Sequence, residues 1–173
     1  MVSRERSKNY IAYAVFGVIS FVLYFIQYTK GYNLKIGNAT AVLLVPIVIF
    51  VATFFREWVG ALFGLAIGTL MDITTSGSSC FNAIALMLIG CTVGLLITYW
   101  INNNFLSALF LDFIFVLAYF FPKWLFLIFF PRKAYAAEYL LKYILPSAFL
   151  TFFVGIPIYI VMRYIIKIIK RVN

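Results

Sequence analysis

Arg56-Glu57-Trp58-Val59-Gly60-Ala61-Leu62-Phe63-Gly64-Leu65-Ala66-Ile67-Gly68-Thr69-Leu70-Met71-Asp72 runs into a polar stretch, Thr74-Thr75-Ser76-Gly77-Ser78-Ser79, and then into a second apolar segment from Cys80 to Trp100. Glycines at four-residue intervals fall near one face of a helix. Without a Cβ they let another backbone come close. The second segment carries Gly90 and Gly94. If the turn centres near Ser76, antiparallel pairing sets Gly60 opposite about position 92 and Gly64 opposite about position 88. The glycine stripe of one arm then meets the glycine pair of the other. Two uses fit such a stripe, a tightly packed membrane hairpin or a face for a partner helix.

The rest of the chain has the same character. Of its 173 residues 65% are hydrophobic and 20% aromatic, more than a soluble domain of this size could hide, so the fold class is an all-α polytopic membrane protein. At about 20 residues per span the length accommodates about six transmembrane helices and no soluble domain. The spans expected are 9–28, 36–55, 57–74, 80–100, 105–121 and 139–162, in one integral membrane domain over 1–173. The third is short. Trp58 to Met71 covers only about 21 Å against a hydrocarbon core of about 30 Å, so it must extend through Ile73 or Thr75. Pro46 is expected as a tolerated kink in the second helix. The segment Pro122 to Pro131, with Lys123, Trp124 and a run of aromatics, is expected to lie in the interface.

Charge sets the orientation. Lys and Arg outnumber Asp and Glu by 14 to 5, and the excess sits at the ends of the apolar runs. That distribution fits membrane topology and lipid headgroups, not nucleic acid. Arg4, Arg6 and Lys8 precede the first run; Arg163, Lys167, Lys170 and Arg171 follow the last. Both termini should therefore be cytoplasmic, which requires an even number of crossings. The first run is too long for a signal peptide and is followed by no small-residue cleavage site.

Few groups could carry chemistry. There is no His, and Cys80 and Cys91, about 16 Å apart on one helix, cannot bridge each other. No Cys cluster has ligand spacing, and no nucleophile elbow, phosphate loop or paired-acid motif occurs, so neither an enzyme nor a cofactor or metal site is expected. Two carboxylates stand out because burying a charge in a membrane is costly. Asp112 falls about 12 Å into the fifth span, counted from Asn104. It is expected to pair with a partner's cation or with a polar group of a neighbouring helix, or to lie near headgroups if the helix begins a turn later. Asp72, at the unfavourable C-terminal end of its own helix, is favoured if it turns to the free N–H groups that begin the next helix, with Ser78 or Ser79 as the local cap. Arg56-Glu57 reads as an interfacial charge pair. Lys142 is placed to snorkel, and the tyrosines near helix ends to form an aromatic belt. On this reading Gly64→Leu should pry the hairpin apart, whereas Gly64→Ala should be accommodated.

The run Gly60-Ala-Leu-Phe-Gly64-Leu-Ala-Ile-Gly68-Thr-Leu-Met-Asp72-Ile-Thr-Thr-Ser76-Gly77, followed by Asn82-Ala83 and a helix with Gly90 and Gly94, resembles the rod-shape-determining membrane protein family MreD. The likeness extends to an Asp in the next span, here Asp112, and to the basic end after the last helix. It departs after Gly77, where the family often has a second glycine and this chain has Ser78-Ser79-Cys80-Phe81. The resemblance implies a non-catalytic scaffold subunit of the bacterial cell-elongation, or peptidoglycan synthesis, machinery in the cytoplasmic membrane. It implies as partners a bitopic MreC-like protein, the actin-like MreB filament and, less directly, the peptidoglycan polymerase complex. Gly60, Gly64, Gly68, Asp72, Gly77, Asn82, Gly90, Gly94 and Asp112 are the structural or partner-contact residues expected. Chains of this family are also similar in fold to the six-helix substrate-binding subunits of energy-coupling-factor vitamin transporters, and that is the alternative function. It would use outer polar groups such as Asp72, Lys123, Arg132, Lys133, Glu138 and Lys142 around a ligand cavity.

Overall fold

The computed structural model describes residues 2–29, 35–37, 39–74, 80–101, 104–126 and 136–171. Helix α1 (Val2–Tyr28) leads to a two-stranded antiparallel ladder, β1 (Lys35–Ile36) and β2 (Ala39–Thr40), paired Lys35 to Thr40 and Ile36 to Ala39. Then follow α2 (Leu44–Thr74), α3 (Phe81–Tyr99), α4 (Phe105–Trp124), the short α5 (Ala136–Tyr139) continued by a π-helical turn at Leu140–Ile144, and α6 (Leu145–Arg171). Five of these helices are long and apolar enough to cross a membrane. The chain is thus a multi-pass membrane protein by the length and composition of its helices.

The 31-residue α2 is two arms, 44–55 and 57–74, broken at Arg56 (φ 75°, ψ 177°). The chain reverses there. A Cβ on Gly60 would lie 2.6 Å from the Cβ of Ala52, positions that an unbroken helix would hold about 12 Å apart. Both ends of α2 also meet the C-terminal end of α1: Gln27 Oε1 accepts the Leu44 N–H at 3.4 Å, and the Tyr24 hydroxyl donates to Thr74 at 3.4 Å. The break meets the middle of α1, with Phe55 against the rings of Tyr13 and Phe16. Arg56 holds a backbone region used almost only by glycine, at a cost on the order of 1–3 kcal/mol.

The arm 44–55 is the centre of the bundle. Leu44 to Thr53 is buried without interruption, which is why Leu-Val-Pro-Ile-Val-Ile-Phe-Val-Ala is apolar on every face. Around it run α1, the arm 57–74, α3, α4 and α6. Tyr159 of α6 and Phe105 of α4 stand beside Phe50 and Phe54 near the break. At the other end, Ser147 and Thr151 of α6 accept the N–H groups of Thr40 and Val42 at 3.0 and 3.1 Å.

Those bonds explain one departure from the sequence reading. The second helix was expected from residue 36 and begins at Leu44. Gly37 takes a positive φ of 60° in the β1–β2 turn, and the N–H groups that would start a helix are taken by α6 and Gln27. Pro46 consequently sits in the first helical turn, where its missing N–H costs nothing, and is not a mid-helix kink. Three other boundaries move outward. α1 begins at Val2, α4 continues through Pro122 to Trp124, and the last helix runs on through Arg163 and Lys167 to Arg171. The part of the expected interfacial segment from 127 to 131 lies outside the described residues.

Candidate functional site: the head of the glycine hairpin

The arm 57–74 and α3 pack backbone to backbone. A Cβ at Gly60 would stand 2.6 Å from the carbonyl oxygen of Gly90. At Gly64 it would fall within the Leu86 backbone, at Gly68 it would meet Asn82 and Ala83, and at Gly94 it would meet Glu57. All these glycines are buried. The register is about two residues tighter than expected: Gly60 faces Gly90, not position 92, and Gly64 faces Leu86 and Met87, not position 88. The turn therefore centres nearer residue 75. Because the obstacles are main-chain atoms, one methyl has nowhere to go, and the expectation that Gly64→Ala is accommodated is corrected. The stripe is spent on the chain's own hairpin.

Asp72 closes the hairpin at its head. Its Oδ1 accepts the Asn82 backbone N–H at 3.2 Å and the Asn82 side-chain amide at 2.8 Å, and its Oδ2 accepts the Ala83 N–H at 2.9 Å. These donors belong to the first turn of α3, whose N-cap residue, Cys80, is left-handed (φ 48°, ψ 19°) and offers no side-chain cap. A carboxylate from the preceding helix does the capping, where the positive end of the α3 dipole also favours it. Ser78 and Ser79, expected as the local cap, lie outside the described residues, as do Gly77, Arg132 and Lys133.

The network extends into α4. Asn82 Oδ1 accepts the Tyr119 hydroxyl at 2.7 Å, and Lys123 Nζ lies 3.4 Å from that hydroxyl and 5.3 Å from the ring centroid. Tyr119 is fully buried. Asn82 thus serves two masters in one orientation, its amide nitrogen to Asp72 and its oxygen to Tyr119. Three N–H groups are aimed at the one carboxylate. Its work is to tie the arm 57–74, α3 and α4 together. Tyr119 was missed among the twelve tyrosines, of which those near helix ends were read as belt residues. The available signal was that it lies two helical turns beyond Asp112, on the same face of α4.

Asp112 stands apart from this network. It is fully buried, and neither carboxyl oxygen has a hydrogen-bond partner among the described residues. A Cβ on Gly155 of α6 would meet its Oδ2 at 2.5 Å. The helix does not begin a turn later, since α4 starts at Phe105, and pairing with a polar group of a neighbouring helix is not found among the described residues.

At the opposite end, the Arg56 charge acts on Glu57 as expected, but no close ion pair forms between them. Glu57 Oε2 accepts the Thr98 hydroxyl at 3.0 Å, and Arg56 is exposed. Lys142 lies 3.9 Å from Glu138 in an exposed i, i+4 pair. Cys80 and Cys91 are free thiols. No group of three or more His, Cys, Asp or Glu residues able to hold a metal occurs among the described residues. The grooves between α1 and α6 and between α3 and α4 are lined by apolar side chains such as Val22, Val161, Leu88 and Ala118. Comparison with known protein families, with curated proteins and with solved structures found no match to this chain.

Proposed function

We propose that this chain is a non-catalytic scaffold subunit of a bacterial cell-elongation complex, of the MreD kind, binding partner membrane proteins through its outward helix faces. The observation that carries the reading is what becomes of the motif on which the resemblance rests. Gly60, Gly64, Gly68 and Asp72 form one device, close backbone contact along the arm and a cap at its head. A sequence motif spent on rigidity suits a protein that holds others in place. The outward faces are broad and apolar, with Leu62, Ile73, Leu106 and Phe153 among the exposed side chains, as membrane partners and lipid require. On this reading the arm 57–74 crosses by itself and the arm 44–55, about 18 Å as helix, crosses together with the residues 39–43 that lead into it, six crossings in all, with both termini cytoplasmic as the basic ends favour.

The test is affinity purification of the tagged chain from its native membrane, with co-purifying proteins identified by mass spectrometry. A bitopic MreC-like protein and peptidoglycan polymerases are the expected partners. Recovery instead with a transport ATPase module, together with a saturable thermal shift in thiamine, riboflavin, folate or biotin, would overturn the scaffold reading in favour of the transporter subunit.

A further inference from the structure

Arg56 occupies a position that its own backbone disfavours. With φ 75° and ψ 177° it lies in a region where glycine is relaxed and every other residue is strained. This chain places glycine four residues later, at Gly60, and arginine at the reversal itself. Its side chain is not holding the fold, for it is exposed and makes no ion pair among the described residues. The adjacent carboxylate of Glu57 feels the Arg56 charge but spends its hydrogen bond on Thr98.

The surroundings indicate what the exposed guanidinium meets. Trp58 is 77% exposed, and Tyr99 and Trp100 at the end of α3 are 71% and 86% exposed. The Glu57–Thr98 bond brings the end of α3 to the reversal. Tyr159 stacks on Phe54, two residues before the reversal, and the next turn of α6 presents Arg163 and Tyr164, both exposed. Exposed Trp and Tyr beside exposed cations are the composition of a headgroup-level belt on a membrane surface rich in anionic lipid. We infer that Arg56 binds the phosphate of an anionic phospholipid at this surface, and that the strained reversal persists because its side chain is needed there. A guanidinium suits the task, since its fork of donors matches phosphate oxygens two at a time.

The experiment uses the full chain carrying W124F, so that Trp58 and Trp100 alone report, in bilayers where brominated phosphatidylglycerol competes with phosphatidylcholine. Quenching measures the preference for the anionic lipid next to these two rings. R56Q keeps the length and the strain and removes the charge; R56G removes both. The preference should fall about fivefold in each variant, the Boltzmann factor for one basic group at an anionic surface. R56G should also be more heat-stable than wild type in phosphatidylcholine alone, and R56Q should not. An undiminished preference in both variants would overturn the inference and leave an acidic protein surface as the counterpart of Arg56. A drop in R56G alone would overturn it too, by tying the effect to backbone geometry and not to charge.

Discussion

The Oδ2 of Asp72 accepts the backbone N–H of Ala83 at 2.9 Å, eleven residues further along the chain, and so one helix supplies the cap of the next. This single contact joins the end of the glycine arm to the start of α3. Asp72→Leu removes the acceptor for three N–H groups and should lower stability by about 2 kcal/mol. Asp72→Asn keeps one oxygen and turns the other site into a donor facing a donor, so it should fall between leucine and wild type. Thermal unfolding in a mild detergent measures the order. Asparagine equal to wild type would mean that only one of the two oxygens matters.

Glycine substitutions should divide sharply by position. Gly64→Ala drives a methyl into the Leu86 main chain and should cost about 3 kcal/mol, the upper end for overpacking, because backbone cannot step aside. Gly17 of α1 has nothing within 4 Å of its Cβ direction. Gly17→Ala should therefore be neutral or add up to about 1 kcal/mol through helix propensity. Folded yield by size-exclusion chromatography and melting temperature check both.

Tyr119→Phe strands the Asn82 Oδ1 in the core. A loss of about 1–3 kcal/mol is expected. Since Asn82 is also held by Asp72, a double-mutant cycle between positions 72 and 119 should show coupling of about 0.5 kcal/mol or more, whereas independent sites would add.

Asp112 is the reverse case. With no partner to lose among the described residues, Asp112→Leu should leave stability unchanged or raise it, for an apolar side chain replaces an uncompensated polar one. Gly155→Ala presses a methyl on the carboxyl and should destabilise the wild type by about 1 kcal/mol or more, yet do little in Asp112→Ala, where that oxygen is gone. Melting curves of the four proteins decide it.

What could be read from the sequence follows from the physics available at each residue. The Asp72 contact was legible because a carboxylate at the wrong end of its helix and a free helix start a few residues on make each other's solution. The glycine hairpin was legible by spacing, though its register shifted by about two residues once the turn was placed. The central position of the arm 44–55 was not legible. In a membrane the surroundings of a helix are as apolar as the core, so Val45-Pro46-Ile47-Val48 reads the same buried in protein or facing lipid. The reversal at Arg56 was legible as the boundary between the expected spans 36–55 and 57–74, but its tightness was not, because the conformation calls for glycine and the sequence there says arginine. Tyr119 was hidden by its abundance, since a tyrosine that bonds in the core and one that anchors in the belt look alike in sequence.

The claim on which the topology and the scaffold reading both rest is that the arm 57–74 makes its own passage through the bilayer. Single cysteines test it directly, introduced as Arg56→Cys, Ser76→Cys and Asn173→Cys in a background lacking Cys80 and Cys91, and probed in intact cells with a membrane-impermeant maleimide. Ser76→Cys should label from outside, and Arg56→Cys and Asn173→Cys only after the membrane is permeabilised. Labelling of positions 56 and 76 from the same side would contradict the account.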